Sequence, residues 1–189
     1  MSNDKIITCS LDFEGFFIDF DIAKNLSLEW TRGSHTHSSD FVFAVGEIWL
    51  RKKDSRYLIA PSDYPGNLIE ELKEISKQLI DPISVPNLEN FISRGGWCAW
   101  MHGYWDRLNH DLNTEEDEKI YDLLTPLSIM ESRKGYIAAY KYHGEPTIEV
   151  ATRNNEGAAP IIAWSAFAPE KISLEVDNLW KTIAKKILS

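Results

Sequence analysis

Positions 135–188 constrain the fold more than any other stretch: three short apolar segments separated by turn residues, then one long amphipathic segment. The run Tyr136-Ile137-Ala138-Ala139-Tyr140-Lys141-Tyr142 is partly aromatic and β-branched, which suits a strand. His143-Gly144-Glu145-Pro146 is turn chemistry, because Gly reaches positive φ without a Cβ clash and Pro has no N–H to give a ladder. Residues 147–151 alternate polar and apolar, which predicts a strand with one buried face. Asn154-Asn155-Glu156-Gly157 predicts a second turn, and 160–167 a mostly apolar third strand at the centre of the sheet. Beyond Pro169, Ile172, Val176, Leu179, Trp180, Ile183 and Ile187 recur at three and four, one face of a helix. Lys181, Lys185 and Lys186 fall in its last turns, where cations complement the helix dipole. The expectation is an antiparallel meander with a helix packed across it.

Upstream, the same logic gives more β-structure. Ile7, Cys9, Leu11 and Phe13 alternate with polar residues up to Gly15, and Phe16, Ile18, Phe20 and Ile22 alternate after it. Period two on both sides of a glycine predicts a hairpin with one buried face. Its other face would carry Asp12, Glu14, Asp19 and Asp21, a set of like charges that repel across strands. Further strands are expected at 26–31, at 41–50 with a bulge at Gly46, and antiparallel to the latter at 56–60. Arg51-Lys52-Lys53, ahead of Asp54, reads as a solvated hairpin tip. Asn67 with Glu70 makes a capping box for a helix closed by Pro82, and 86–94 predicts a short helix stopped by Gly95-Gly96. The whole is an α+β chain of 189 residues, long enough for one domain with a sizeable core: β-rich over 1–60, helical over 67–130, and ββ(β)α over 135–188.

The chemistry-bearing residues are densest at 97–110. On a helix, Trp97, Trp100, Met101, Tyr104, Trp105, Leu108 and Leu112 share one side, and Cys98, His102, Asp106 and His110 form an i, i+4 stripe on the other. All four of the latter are metal-ligand types. Strung along one helix they span about 18 Å at the usual rise, too far to hold one ion, so an amphipathic polar face is the simpler expectation. Gly103 within the helix lowers its stability by about 1 kcal/mol. His35-Thr36-His37 would chelate on a strand, but lies in a Ser-rich stretch with no further ligands evident. No metal or cofactor is therefore expected. Nor is catalysis: the chain has no G-x-S-x-G, no P-loop and no G-x-G-x-x-G, and Cys98 lacks the basic setting a thiolate needs. An aromatic pocket around 97–110, taking a small molecule or supporting metal-assisted chemistry through His102, is the alternative.

Charge distribution carries the functional expectation. The formal net charge of −9 argues against nucleic acid, whose backbone needs a basic footprint. That charge is segregated. Positions 106–122 hold seven acids (Asp106, Asp111, Glu115, Glu116, Asp117, Glu118, Asp122) against Arg107 and Lys119, and positions 1–22 hold five against Lys5, so these two blocks account for all of it. Thr114 and Asp117 explain part of the second block as a capping box at a helix start. The remainder suits association with a basic surface. No apolar run is long enough to span a membrane, no leader-like segment opens the chain, and Cys9 and Cys98 make no disulfide framework, so a cytoplasmic protein with reduced thiols is expected.

In size, acidity, aromatic-rich α+β layout and lack of a catalytic motif, the chain resembles the small acidic cytoplasmic immunity proteins with which bacteria neutralise toxins delivered by rival cells. The resemblance implies a stoichiometric inhibitor that covers a basic toxin domain such as a nuclease; the two acidic faces, which disfavour self-association, predict a monomer when free. Asp12, Glu14, Asp19, Asp21, Asp106, Asp111, Glu115, Glu116, Asp117 and Glu118 would form the acidic contact, with Tyr104 and Trp105 as exposed anchors.

Overall fold

Alternation about Gly15 produces the expected hairpin. In the computed structural model, which describes residues 6–23, 46–60, 77–153 and 160–188, β1 (Ile6–Phe13) and β2 (Phe16–Ala23) pair antiparallel through a Glu14-Gly15 turn, with Gly15 at φ +89°. β3 (Gly46–Lys52) and β4 (Ser55–Ala60) continue the meander, giving a four-stranded sheet in the order β1-β2-β3-β4. The second sheet is built on β7 (Gly135–Tyr142), β8 (Glu145–Thr152) and β9 (Ile162–Ala166), antiparallel throughout. The short β5 (Ile83–Ser84) joins β7 in parallel, and β6 (Ser128–Glu131) pairs with it antiparallel. Between β5 and β6 lie α1 (Trp97–Asn109) and α2 (Glu115–Leu124), and α3 (Pro169–Leu188) ends the described chain. The fold is α+β.

Two apolar clusters fix three layers. Leu11, Phe13, Ile18, Phe20, Ile48, Leu50 and Ile59 from the first sheet meet Ile137, Ala139, Ile148, Val150 and Ala163 from the second. Ile172, Val176 and Leu179 of α3 close this core beside β1. On the opposite face of the second sheet, Tyr136, Ala138, Tyr140 and Ala151 pack against Trp97, Cys98, Met101, Leu124 and Leu127. The two β sections are thus stacked sheets rather than one continuous sheet, and α1 and α2 lie across the second sheet from the first.

This layering corrects several expectations. β9 is an edge strand with Trp164 46% exposed, and the centre belongs to β7 and β8. β8 is buried on both faces, Glu149 included, because helices cover the side that alternation assigns to solvent. The segment 86–94 contains only a 3-10 turn, Leu88–Asn90, and a strand, β6, follows the helices before position 134. Of the helix expected at 67–80, only 77–80 is described and is helical; the strand expected at 26–31 and the 41–45 part of the next one lie outside the described residues, as do His35 and His37. No described helix is long and apolar enough to cross a membrane.

Gly135 is hemmed in from both its own sheet and the other: an added Cβ would sit 2.5 Å from the Ala151 carbonyl of neighbouring β8 and 3.0 Å from the Ile59 side chain of the first sheet. Ser132 Oγ donates to the Ile59 carbonyl beside it, tying the β6–β7 connection to β4. Gly135→Ala is therefore expected to destabilise by about 1–3 kcal/mol through overpacking against backbone. A urea melt unchanged from the native chain would show that the added methyl is accommodated at no measurable cost.

Candidate partner-binding surface

The 97–109 segment forms the expected helix, α1, and runs unbroken through Gly103. Its N-terminus carries no side-chain cap from its own sequence; Gly96 occupies the cap position. The acceptor comes from β8 instead. Glu149 accepts the backbone N–H groups of Trp97 (3.1 Å) and Cys98 (2.9 Å), along with the Tyr140 hydroxyl, whose oxygen in turn accepts Gly95 N–H at 3.2 Å. A carboxyl group at the positive end of α1 satisfies the donors that a helix start leaves open. Burial pushes the Cys98 thiol well up, with the neighbouring Glu149 adding to the shift. A thiol held protonated in this way is a core side chain, not a nucleophile. Cys98 thus faces the core rather than sharing a solvent stripe with His102, Asp106 and His110.

The aromatic face of α1 divides differently from its sequence pattern. Tyr104 is buried, stacked between Trp100 (centroids 5.5 Å apart) and Tyr121 (4.3 Å), and its hydroxyl donates to Glu118 at 3.0 Å. Trp105 is half-buried, edge-on to both Tyr104 and Tyr121. Tyr104 is therefore a tie between α1 and α2, not an exposed anchor. The rings of Trp100, Tyr104, Trp105 and Tyr121 pack on one another. Leu108 and Leu112, expected on the buried side, are 37% and 64% exposed. The helix ends at Asn109, His110 closes it, and Asp111 takes a left-handed conformation (φ +55°), which swings Leu112 off the buried stripe.

The carboxylates of the second acidic block fall into two groups. Asp117 completes the predicted capping box: Thr114 N–H donates to it at 3.0 Å, Asp117 N–H donates back to Thr114 Oγ1 at 3.1 Å, and Arg107 pairs with it at 2.6 Å. These bonds hold its carboxyl below the usual carboxylate range. Glu118 accepts from Tyr104 and from Asn113. Both fasten the α1–α2 corner. Asp111, Glu115 and Glu116 are exposed and make no ion pair with a described residue, and Asp106 lies 4.0 Å from the exposed His110 imidazole. Two exposed leucines thus sit among four outward carboxylates within eleven residues of chain.

The hairpin carboxylates divide as well. Asp19 is only 2% exposed; it accepts Ser10 Oγ (2.7 Å) and pairs with Arg51 (2.9 Å) and Arg56 (3.1 Å). Asp21 accepts Thr8 Oγ1 (2.7 Å) and pairs with Arg56 (3.0 Å). Arg51 stacks over Phe17 and Arg56 over Trp49. Arg51 is thus a sheet-face partner rather than part of a solvated tip; the β3–β4 turn is made by Lys53 and Asp54. Asp12 and Glu14 alone of the four stay exposed. They belong to the first sheet, whereas the corner acids lie across the second, so the structure does not join the two acidic blocks. Among the described residues no three or more His, Cys, Asp or Glu converge as a metal site.

Burial pushes the Asp19 carboxyl up, but hydrogen bonds from Arg51 and Ser10 and the charges of both arginines outweigh it and leave it below its ordinary value of 3.8. A carboxyl depressed in the folded state adds stability that is present above the unfolded value and disappears as pH falls through the folded one. Asp19→Asn is expected to flatten the acid limb of the stability curve below about pH 4. Urea midpoints followed down to about pH 2.5 in both proteins test this; parallel curves would contradict it.

No family model, curated protein or solved structure matches the chain.

Proposed function

We propose that this chain is a stoichiometric binding protein of the immunity type, which neutralises a basic partner protein, a toxin domain, in the cytoplasm. One observation carries the proposal: Leu108 and Leu112 are exposed at a corner whose outward charges are mainly acidic, Asp106, Asp111, Glu115 and Glu116 against the exposed Lys119. Apolar side chains with an acidic rim have the anatomy of an interface, a core that is desolvated on contact and a polar border that selects and steers. The corner is also rigid. The capping box, the Arg107–Asp117 pair and the Trp100–Tyr104–Tyr121 stack fix the two helices together, so little ordering entropy opposes docking. A basic active-site cleft, evolved to hold phosphate, is the surface such a rim complements.

The experiment is affinity capture from a lysate of the producing cell, washed at low and then high salt, with mass spectrometry of the eluate. The expected result is one basic protein near equal stoichiometry, whose own activity is lost when the two are mixed. Capture of acidic proteins alone, or of a basic protein whose activity is untouched, would overturn the proposal.

A further inference from the structure

Among the described residues, the first sheet leaves one edge open. β1 has β2 on one side and no described strand on the other. Phe13 and Phe16 face each other across the two-residue turn, so Phe13, Leu11 and Cys9 exchange ladder bonds with β2, and the alternate residues Asp12, Ser10 and Thr8 turn their N–H and C=O groups outward. One of these outward groups confirms the phase: Asp12 N–H donates to Glu175 Oε2 of α3 at 3.2 Å. α3 therefore stands beside the edge at the reach of one glutamate side chain. From that point a groove of about 270 Å³ runs between strand and helix, lined by Thr8, Cys9 and Ser10 on one wall and by Glu175, Asn178, Leu179 and Thr182 on the other. The helix residues are spaced i, i+3, i+4, i+7, one face turned to the strand.

An unpaired strand edge is a template for another strand. The groove equals roughly nine water volumes, room for a short extended backbone and not for a folded element. At its hairpin end stand Asp12 and Glu175, with Glu14 in the β1–β2 turn, and among the described residues Lys171 lies 3.5 Å from Glu175. We infer that this slot takes a short extended segment of another protein, carrying a basic side chain, which adds to β1 as a further strand. Its backbone bonds to the outward groups of Ser10 and Thr8, and its cation pairs with the Glu175 and Asp12 carboxylates. The slot does not depend on the α1–α2 corner, and either stands if the other fails.

The probe is the peptide acetyl-Val-Lys-Val-Lys-Val-amide, with its Glu-for-Lys counterpart as control, titrated into the full chain and followed by amide NMR. The expected result is a saturable shift of the Ser10 and Thr8 amides, at least tenfold slower exchange of both with the Lys peptide, and at least fivefold weaker binding of the Glu peptide. Asn178→Trp, a change at an exposed helix position that fills the slot, is expected to abolish the effect. Leu174→Trp, at an exposed position outside the groove lining, is expected to leave it intact. Equal binding of both peptides, unchanged binding to Asn178→Trp, or no shift up to millimolar peptide would each overturn the inference.

Discussion

Replacing Glu149 with Ala is expected to unfold or loosen the α1 layer, at a cost of about 3–5 kcal/mol, because removal of the shared acceptor leaves three buried donors unsatisfied. The N–H groups of Trp97 and Cys98 and the Tyr140 hydroxyl all lose their acceptor in a region closed to water. A marginally stable domain feels such a loss as a large fraction of its total. Glu149→Gln keeps a neutral acceptor and separates hydrogen bonding from charge. Burial pushes the Glu149 carboxyl above its ordinary 4.5, against the lowering effect of the Cys98 N–H, the Tyr140 hydroxyl and the Trp97 N–H. A group raised in the folded state adds stability that is complete below the unfolded value and declines as pH rises through the folded one. The native chain should therefore lose stability on going up from about pH 4.5 by this contribution, opposite in sign to that of Asp19, and the Gln variant should not. Denaturant melts at several pH values test both points. A Glu149→Ala chain within 1 kcal/mol of native would show that α1 docks without its anchor.

The second large effect is on binding. Leu112→Asp is expected to weaken the captured complex by about 2 kcal/mol or more, near 30-fold, since it places a charge where the interface core must desolvate. Folding should be unaffected, because the side chain is 64% exposed. Reversal of Asp111, Glu115 and Glu116 to Lys is expected to slow association at least tenfold at low salt and to erase most of its salt dependence. Calorimetry gives the first quantity and stopped-flow association the second. Equal affinity for Leu112→Asp, with the reversal variant associating at the native rate, would remove the corner from the interface.

How much of this was legible in the sequence depends on how local each cause is. Period-two alternation is set by backbone geometry, so the β1–β2 hairpin and the β7–β8 meander were readable. The Thr114–Asp117 box is equally local. Glu149 was not readable as a buried anchor: its alternation with Ile148 and Val150 is that of a half-exposed strand, and only the packing of α1, some fifty residues upstream, converts the polar face into an interior. The hairpin acids were found, but their neutralisation was not. Arg51 and Arg56 reach Asp19 and Asp21 across the β2–β3–β4 register, and the one available signal was that they face each other across the β3–β4 hairpin. Leu112 lies off the stripe that the helical period predicts because the helix stops at Asn109 and Asp111 turns left-handed. The 160–167 run is apolar enough for a central strand, yet it pairs only with β8, burying Ala163 and Ser165 and leaving Trp164 and Ala166 exposed.

The most direct test of the binding account is hydrogen exchange of the full chain with and without the captured partner, read peptide by peptide. The account predicts protection concentrated over 106–118, with the β3–β4 turn at Lys53 and Asp54 exchanging as in the free protein. Protection that left 106–118 unchanged while appearing elsewhere would contradict it and move the interface off this corner.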